Sequence, residues 1–189
     1  MKTHYLIISF LFVSSVCFSQ TDSNIVYPQK QWYISTALGI QMSGIKPEDF
    51  ISHNMVPSFQ FGVGVWFTPE IALQLSYKGF YFNTIADEVK HSYDFFFGEV
   101  LLNINELILG KEAKKNRWSV VFHPGAGLFN NKYYNQINIC GNIGIMNSYK
   151  INESLELFLD ISTIVGWDIY QGDDDIIPSF GIGINYYIE

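Results

Sequence analysis

Large apolar and small polar residues alternate along the last twelve residues of the chain, PSFGIGINYYIE, at positions 178–189. One face carries large apolar side chains such as Phe180 and Ile182, and the other carries small or polar side chains such as Gly183 and Asn185. A period of two is typical of a β-strand. A strand on a soluble surface usually turns charged residues outward, and here the polar face is uncharged. The pattern therefore predicts a strand whose apolar face contacts hydrocarbon and whose polar face is packed inside.

The same alternation recurs in seven further segments. Each is roughly 10 to 12 residues long, which is the length that a tilted transmembrane strand needs. The eight predicted strands span residues 32–41, 57–67, 71–82, 93–104, 117–129, 137–146, 155–165 and 178–189. Pro124 lies within the fifth of these and predicts a bulge, because proline cannot donate to a strand ladder. We predict an all-β chain that forms an eight-stranded antiparallel up-and-down transmembrane β-barrel.

The connections between the strands fall into two groups. An even number of strands returns both chain ends to one side, and in outer-membrane barrels that side is periplasmic, with short turns there and longer loops outside. The connection at residues 105–116 is long for a periplasmic turn and departs from this rule. We predict external loops at 42–54, 83–92, 130–136 and 167–175, and periplasmic turns at 68–70 and 147–152.

Four aromatic residues share a face and a depth in this scheme. Each falls on the predicted lipid face at the periplasmic end of its strand. At that depth an aromatic ring contacts apolar groups, and the N–H of Trp or the O–H of Tyr contacts water. These four residues are Trp32, Phe67, Trp118 and Tyr186. The pattern predicts a periplasmic aromatic girdle, and chance placement in an aromatic-rich chain is the alternative.

The first nineteen residues have the features of a secretory signal peptide. Lys2 provides the positive charge, an apolar run follows at 5–13, and small residues precede a predicted cleavage between Ser19 and Gln20. A membrane anchor and a lipoprotein signal that uses Cys17 are the alternatives, although the apolar run is short for a membrane span. We predict a signal peptide at 1–19, a polar leader at 20–30 and one barrel domain at 31–189.

Composition and charge narrow the possible functions of the predicted mature chain. Without Lys2 the chain has 10 basic and 18 acidic residues, a net charge near −8, which argues against nucleic-acid binding. Charged residues make up 15% of the whole chain, against roughly 25% in soluble domains. Removal of Cys17 leaves Cys140 alone, so no intrachain disulfide is expected.

The alternation, the signal peptide and the loop asymmetry together resemble the small eight-stranded outer-membrane barrels of the OmpA/OmpX type. The stretch Asn103-x-Asn105-x-x-x-Leu109 and the later Gly125-Ala126-Gly127 are also similar to that family. The resemblance covers residues 31–189, although Ile188 and Glu189 replace the family's usual terminal Phe.

The resemblance implies a porin-like protein of the cell envelope, located in the outer membrane. It implies outer-membrane lipid and, through the C-terminal strand, the barrel assembly machinery as partners, with no cofactor. It does not indicate the external partner. A secreted lipocalin-like barrel that binds a small ligand is the alternative fold, but a soluble barrel needs a charged exterior and neither face supplies one.

Catalytic and metal-binding patterns are weak in this sequence. A lipid-acyl hydrolase or transferase would need a Ser–His pair at the membrane face, but His123 falls on the inner face, away from Ser119. We therefore expect no enzymatic activity. A weak candidate metal site is an acidic group that could bind a hard divalent cation, with a solvated loop as the alternative: Asp168, Asp173, Asp174 and Asp175.

Ionisable residues on the predicted inner face suggest a polar network in the lumen: Lys78, Glu99, His123, Glu156 and Asp160. If the fourth and fifth strands pair symmetrically about the 105–117 connection, Glu99 lies opposite His123. We then expect Lys78 and His123 to flank Glu99, with Asp160 facing them from the far wall. Charges in a narrow, dry lumen are costly unless paired, so such a network would plug the barrel. A water-filled lumen, suited to a narrow channel, is the alternative.

Overall fold

The computed structural model describes residues 30–42, 55–83, 90–110, 117–167 and 174–188, and nearly all of them lie in antiparallel strands. The strands are β1 (Gln31–Met42), β2 (Met55–Trp66), β3 (Ile71–Asn83), β4 (Lys90–Asn103), β5 (Trp118–Phe122), β6 (Gly125–Asn131), β7 (Gln136–Lys150), β8 (Leu155–Trp167) and β9 (Asp174–Ile188). A short helix, α1 (Ile104–Leu109), follows β4.

These strands close into a ring of eight. Each pairs with its neighbours in the chain, and β9 returns to pair with β1, for example through Trp32 and Ile188. Both β5 and β6 lie between β4 and β7, so they are two halves of one strand. The predicted all-β, eight-stranded antiparallel barrel is confirmed. No helix in the described part of the chain is long and apolar enough to cross a membrane.

The break between β5 and β6 does not change the strand register. Leu102 pairs with Phe122 and Glu99 pairs with Gly125, so three residues separate the two pairs on both strands. The bulge that we predicted at Pro124 is therefore wrong. Proline lacks an N–H group and interrupts the hydrogen-bond ladder without adding a residue to it.

The two faces of each strand differ as the alternation predicted. On β9, for example, the side chain of Ile182 is 57% exposed, whereas that of Asn185 is 3% exposed. The buried side chains point into the barrel and the exposed apolar side chains cover its outside. The prediction of which residues face inward is confirmed along β1, β7, β8 and β9.

The outer face is almost free of charge. Among the strand residues whose side chains the structure describes, Asp94 is the single charged group on this face, and it accepts from Tyr77 Oη and Lys132 Nζ, both at 2.8 Å. Outward-facing residues run from Trp32 to Met42 on β1, ten residues apart. Ten residues of strand tilted by about 40° rise by about 25 Å, the height of the apolar band of a membrane barrel.

Several predicted boundaries move because the strands are longer than the alternation indicated. Strands occupy the edges of all four predicted external loops, since β1 continues to Met42, β4 begins at Lys90, β6 continues to Asn131, and β9 begins at Asp174. The turn predicted at 147–152 shortens, because β7 extends to Lys150. The predicted signal peptide and its Ser19–Gln20 cleavage site lie outside the described residues.

An arginine scan along one strand tests the outer face. Ile182 and Ile188 are exposed on the same face of β9, but Ile182 lies near the middle of the apolar band and Ile188 lies at its end. We expect Ile182→Arg to lower the free energy of unfolding by about 2–4 kcal/mol and Ile188→Arg by at most about 1 kcal/mol. Denaturant titration of the protein refolded in lipid vesicles measures both. Equal losses would show that the outer face does not contact hydrocarbon.

Candidate functional site

The centre of the lumen contains a histidine held between two carboxylates. His123 Nδ1 lies 2.9 Å from Glu99 Oε1, and its Nε2 lies 2.8 Å from Asp160 Oδ1. All three residues are buried. A doubly protonated ring has two N–H donors and so satisfies both contacts. The lumen thus places one imidazole ring between two carboxyl groups, that of Glu99 on β4 and that of Asp160 on β8.

Glu99 reaches His123 by a different register from the one that we predicted. Symmetric pairing about the 105–117 connection would put Ile104 opposite Trp118, but Ile104 begins α1, and Asn103 pairs with Val121. This shift of two residues puts Gly125, not His123, opposite Glu99. The contact with His123 is therefore diagonal. Helix α1 takes up the first residues of the connection, so Ile104 is not available to pair with Trp118.

Lys78 does not flank Glu99, which corrects the predicted network. The β3–β4 register puts Phe95 opposite Lys78 and puts Glu99 four residues further along β4. Lys78 Nζ instead donates to Ser179 Oγ at 2.5 Å and to Ser162 Oγ at 3.4 Å, both on the far wall. Lys78 therefore joins the network through serine hydroxyls.

Asp160 is the point where this lysine branch meets the histidine. Its Oδ2 accepts from Ser162 Oγ at 2.8 Å, while its Oδ1 faces His123. Ser162 and Ser179 are also within 3.0 Å of each other. The charged groups thus form a continuous chain of contacts across the lumen, from Glu99 to Lys78.

Uncharged amides and a hydroxyl supply the remaining partners of Glu99. Asn142 Nδ2 donates to Oε1 at 2.7 Å, and Gln74 Nε2 and Ser76 Oγ donate to Oε2 at 3.2 and 3.3 Å. Sequence reasoning placed these residues on the inner face but missed their role. Their alternation was the available signal. These partners lie on two different strands, β3 and β7, so the strand register decides which of them contact Glu99.

Glu156 lies in a separate cluster of the lumen. Its carboxylate accepts from Ser148 Oγ at 2.5 Å, Tyr187 Oη at 2.5 Å and Asn185 Nδ2 at 3.1 Å. None of these three partners is basic, and none is shared with Glu99. The predicted grouping of Glu156 with the other four ionisable residues therefore holds for its position on the inner face but not for its contacts.

We call the end of the barrel near residues 67–70 and 151–154 the turn end, and the opposite end, near 132–135, the loop end. Toward the loop end the lumen is filled by an apolar cluster in place of charges. Rings stack there at 4.4 Å between Phe95 and Phe97 and at 4.8 Å between Tyr93 and Phe129. The buried members of this cluster are Tyr93, Phe95, Phe97, Phe129, Cys140, Ile164 and Ile177.

Glycines provide the space that the large lumen side chains need. A Cβ atom on Gly144 would overlap the imidazole of His123, and one on Gly64 would overlap the ring of Tyr33. The cavities beside Lys78 and His123 measure about 10 and 20 Å³, which is room for about one water molecule each. The middle of the lumen is therefore packed with side chains.

The backbone arrangement is shared with known membrane proteins of very different sequence. Neisserial surface protein A superimposes with a TM-score of 0.56 at 7% identity, over 82% of this chain and 96% of that one. The N-terminal β-barrel domain of Pseudomonas aeruginosa OprF gives 0.51 at 13% identity, over 84% of this chain and 100% of that one. The chain has the fold of a small outer-membrane β-barrel. No protein-family model and no curated protein sequence matches it.

On this outer-membrane-type barrel, the four predicted girdle residues lie on the outer face near the turn end. They are Trp32, Phe67, Trp118 and Tyr186, and each side chain is exposed. A second group of outward aromatic residues lies toward the loop end: Tyr77, Phe80, Tyr81 and Phe96. The alternation placed Tyr77 and Phe96 on the outer face, but it did not indicate this second group. Phe80 has a φ of 107° and lies exposed at a position where alternation along β3 would turn the side chain inward, whereas Tyr81 keeps the outward phase. Strict alternation could not predict that change of phase.

The remaining candidate residues form no site in the described part of the barrel. Ser119 Oγ lies 2.6 Å from Ser148 Oγ. The described hydrogen bonds of His123 go to Glu99 and Asp160, not to Ser119. Asp168 and Asp173 lie outside the described residues, and the side chains of Asp174 and Asp175 are not described either. Among the described residues, no group of His, Cys, Asp and Glu is placed to hold a metal ion.

Removing the charge of Glu99 tests the lumen network. In Glu99→Gln an amide N–H₂ group would face the donors of Asn142 or Gln74, and His123 would lose one counter-charge. We expect the free energy of unfolding to fall by about 1–3 kcal/mol. Glu153→Gln in the exposed turn is the control and should change little. Equal denaturation midpoints for the two variants would favour a solvated lumen and a channel.

A pair of glycine variants on β7 tests the packing around His123. Gly144→Ala places a methyl group against the imidazole and should cost about 1–3 kcal/mol through overpacking. Gly141→Ala is the control, because its nearest atoms would be 3.7 Å away, an ordinary contact distance. Thermal or denaturant unfolding of both variants gives the comparison. If Gly144→Ala were as stable as Gly141→Ala, His123 would not be fixed where the structure has it.

Proposed function

We propose that the chain is an integral outer-membrane β-barrel protein with a structural or surface-interaction role, and that it displays the predicted loops 42–54, 83–92, 130–136 and 167–175 outside the cell. One observation carries the proposal. The closed ring presents an almost uncharged outer face about 25 Å high, while five ionisable side chains are buried in the lumen: Lys78, Glu99, His123, Glu156 and Asp160. That distribution suits a hydrocarbon surround, because hydrocarbon excludes exposed charge and unpaired backbone groups.

The same distribution argues against the secreted, lipocalin-like alternative. A soluble barrel exposes charge to water and encloses a cavity for its ligand. Here the outer strand faces carry Leu, Ile, Val and aromatic side chains, and the cavities beside Lys78 and His123 hold about one water molecule each.

The packed lumen favours a barrel that is closed by its own side chains over an open channel. The network from Glu99 to Lys78 crosses the middle of the barrel, and the cluster around Phe95 and Phe129 fills the loop end. An eight-stranded barrel is just wide enough for its own side chains to fill. A narrow channel or a small-ligand binder is the second candidate, and it requires these side chains to move.

The position of the histidine supports a non-enzymatic role. His123 is buried between two carboxylates, away from the outer face where a lipid ester would lie. We propose outer-membrane lipid as the surrounding partner and no cofactor. We also propose that the barrel assembly machinery engages β9, which closes the ring by pairing with both β8 and β1.

Localisation and topology are tested in cells. We expect the protein in the outer-membrane fraction, with heat-modifiable migration on SDS gels. In a Cys140→Ser background, cysteines that replace Lys46, Asp87 or Asp174 should react with an impermeant maleimide on intact cells, whereas one at Lys114 should not. A soluble periplasmic or secreted pool would refute the proposal. External reaction at Lys114 with protection at Asp174 would reverse the orientation.

Conductance separates the two candidate roles. The protein refolded into planar bilayers should show no stepwise current if the lumen is a plug. Regular single-channel steps in the unmodified protein, absent from mock-refolded samples, would favour the narrow channel.

A further inference from the structure

The tip of the β6–β7 hairpin, residues 132–135 at the loop end, presents two aromatic side chains to solvent. Tyr133 is 61% exposed and Tyr134 is 49% exposed, although they are neighbours in the chain. Their ring centroids lie 5.0 Å apart and their planes meet at 87°, so the two rings form a right-angled corner. We call this pair of residues the tyrosine corner.

Hydrogen bonds and a buried ring fix the tyrosine corner in place. Asn131 is fully buried, and its Oδ1 accepts from Tyr133 N at 3.0 Å and from Tyr134 N at 3.4 Å. Asn135 then takes a φ of 50°, which asparagine adopts more readily than most residues, and the chain enters β7. The buried imidazole of His91 lies 4.3 Å from the ring of Tyr133 and 5.5 Å from that of Tyr134. The corner is therefore built before any partner binds, which lowers the entropy cost of binding.

The tyrosine corner lies beyond the apolar band of the barrel. Asp94 and Lys132 pair at 2.8 Å on the outer face, and a charged pair in contact with lipid belongs outside the hydrocarbon. Lys132 N also donates to Ser92 O at 3.0 Å, which holds the start of the tip to β4. Tyr133 and Tyr134 follow Lys132, farther from the middle of the barrel. Their rings therefore face the aqueous layer and not the acyl chains.

The charge and size of the tyrosine corner indicate what it can bind. Pairing with Asp94 offsets the charge of Lys132, so the tip does not select a charged partner. The exposed surface of the two tyrosines is on the order of 200 Å², against about 800 Å² on each side of a stable protein complex. One or two sugar rings match that area. The C–H face of a pyranose ring is apolar and stacks on an aromatic ring, and its hydroxyl groups bond to phenol and amide groups.

We propose that the tyrosine corner binds neutral carbohydrate, namely a pyranose unit of a glycan outside the cell. His91 supports one face of the Tyr133 ring, and the sugar stacks on the other face, with its edge against Tyr134. The exposed side chain of Asn135 and the phenol groups bond to the sugar hydroxyls. The proposal rests on the proposed function, which places the loop end outside the cell.

A glycan array tests the binding. The mature chain, refolded in detergent micelles and labelled with a fluorophore, is applied to immobilised neutral glycans of glucose, galactose, mannose and N-acetylhexosamine units, with sulfated forms of the same glycans beside them. We expect retention on a subset of the neutral glycans. Tyr133→Leu keeps an apolar side chain but removes the ring, and it should weaken binding about tenfold or more. Tyr133→Phe keeps the ring and should lose less than Tyr133→Leu. Tyr186→Leu is the control, because Tyr186 is similarly exposed near the turn end, and it should bind as the unmodified chain does.

Each other result of the array has a distinct meaning. Folded protein that retains no neutral glycan would overturn the tyrosine corner as a binding site and leave the proposed membrane role intact, since the array does not depend on insertion. Stronger retention on the sulfated forms would show an anionic ligand and would also overturn the proposal. Equal binding by Tyr133→Leu and Tyr186→Leu would place the glycan elsewhere. A chain that shows no heat-modifiable migration in micelles would refute the proposed function and, with it, this proposal.

A fluorescent probe tests whether the corner faces water. In a Cys140→Ser background, the environment-sensitive dye NBD is attached to Tyr134→Cys and, for comparison, to Ile182→Cys in the apolar band. The protein is refolded in phosphatidylcholine vesicles that contain lipids brominated in the acyl chain. We expect aqueous iodide to quench the probe at 134 and brominated lipid to quench the probe at 182. Quenching at 134 by brominated lipid would show that the corner contacts the membrane, and the carbohydrate site would be ruled out.

Discussion

The structure depends on backbone hydrogen bonds that must all be made within the chain. A sheet with a free edge would leave rows of unpaired N–H and C=O groups, and hydrocarbon offers them no partner. Pairing of β9 with β1 removes that edge over ten residue pairs. Where β4 ends before β5 does, Asn105 of α1 accepts from Val120 N. Closure of the strand ring, rather than burial of an apolar core, is therefore the constraint on which the other features of the structure depend.

Closure also decides where the side chains go. Large apolar side chains lie on the outside of the ring, and the narrow inside contains polar groups that must pair with each other. Glu99 is acceptable in this lumen because His123, Asn142, Gln74 and Ser76 contact its two oxygens. Breaking such a set leaves an uncompensated buried charge, which costs more than the intact set contributes. The network is therefore a requirement of the fold.

Period-two alternation made the faces predictable, because the side-chain period of a strand is two whatever its neighbours are. Inward positions such as Glu99 and Asp160 follow from it directly. Register is different, since it depends on how each connection is built. The helix at Ile104 moved the β4–β5 pairing by two residues, and Lys78 proved to lie four residues from Glu99 along the ladder. For this reason, alternation did not predict which side chains on different strands contact each other.

A filled lumen limits where function can reside. The side chains that stabilise the barrel occupy the space that a ligand or ion would need. A substitution in the middle of the lumen that opened a channel would therefore also destabilise the barrel. The ends are free of this conflict, because residues there are not needed to close the ring. Ile108 and Trp118 at the turn end, for example, are exposed and lie outside the packed lumen. Specific recognition by such a barrel therefore belongs to its connections and its rims.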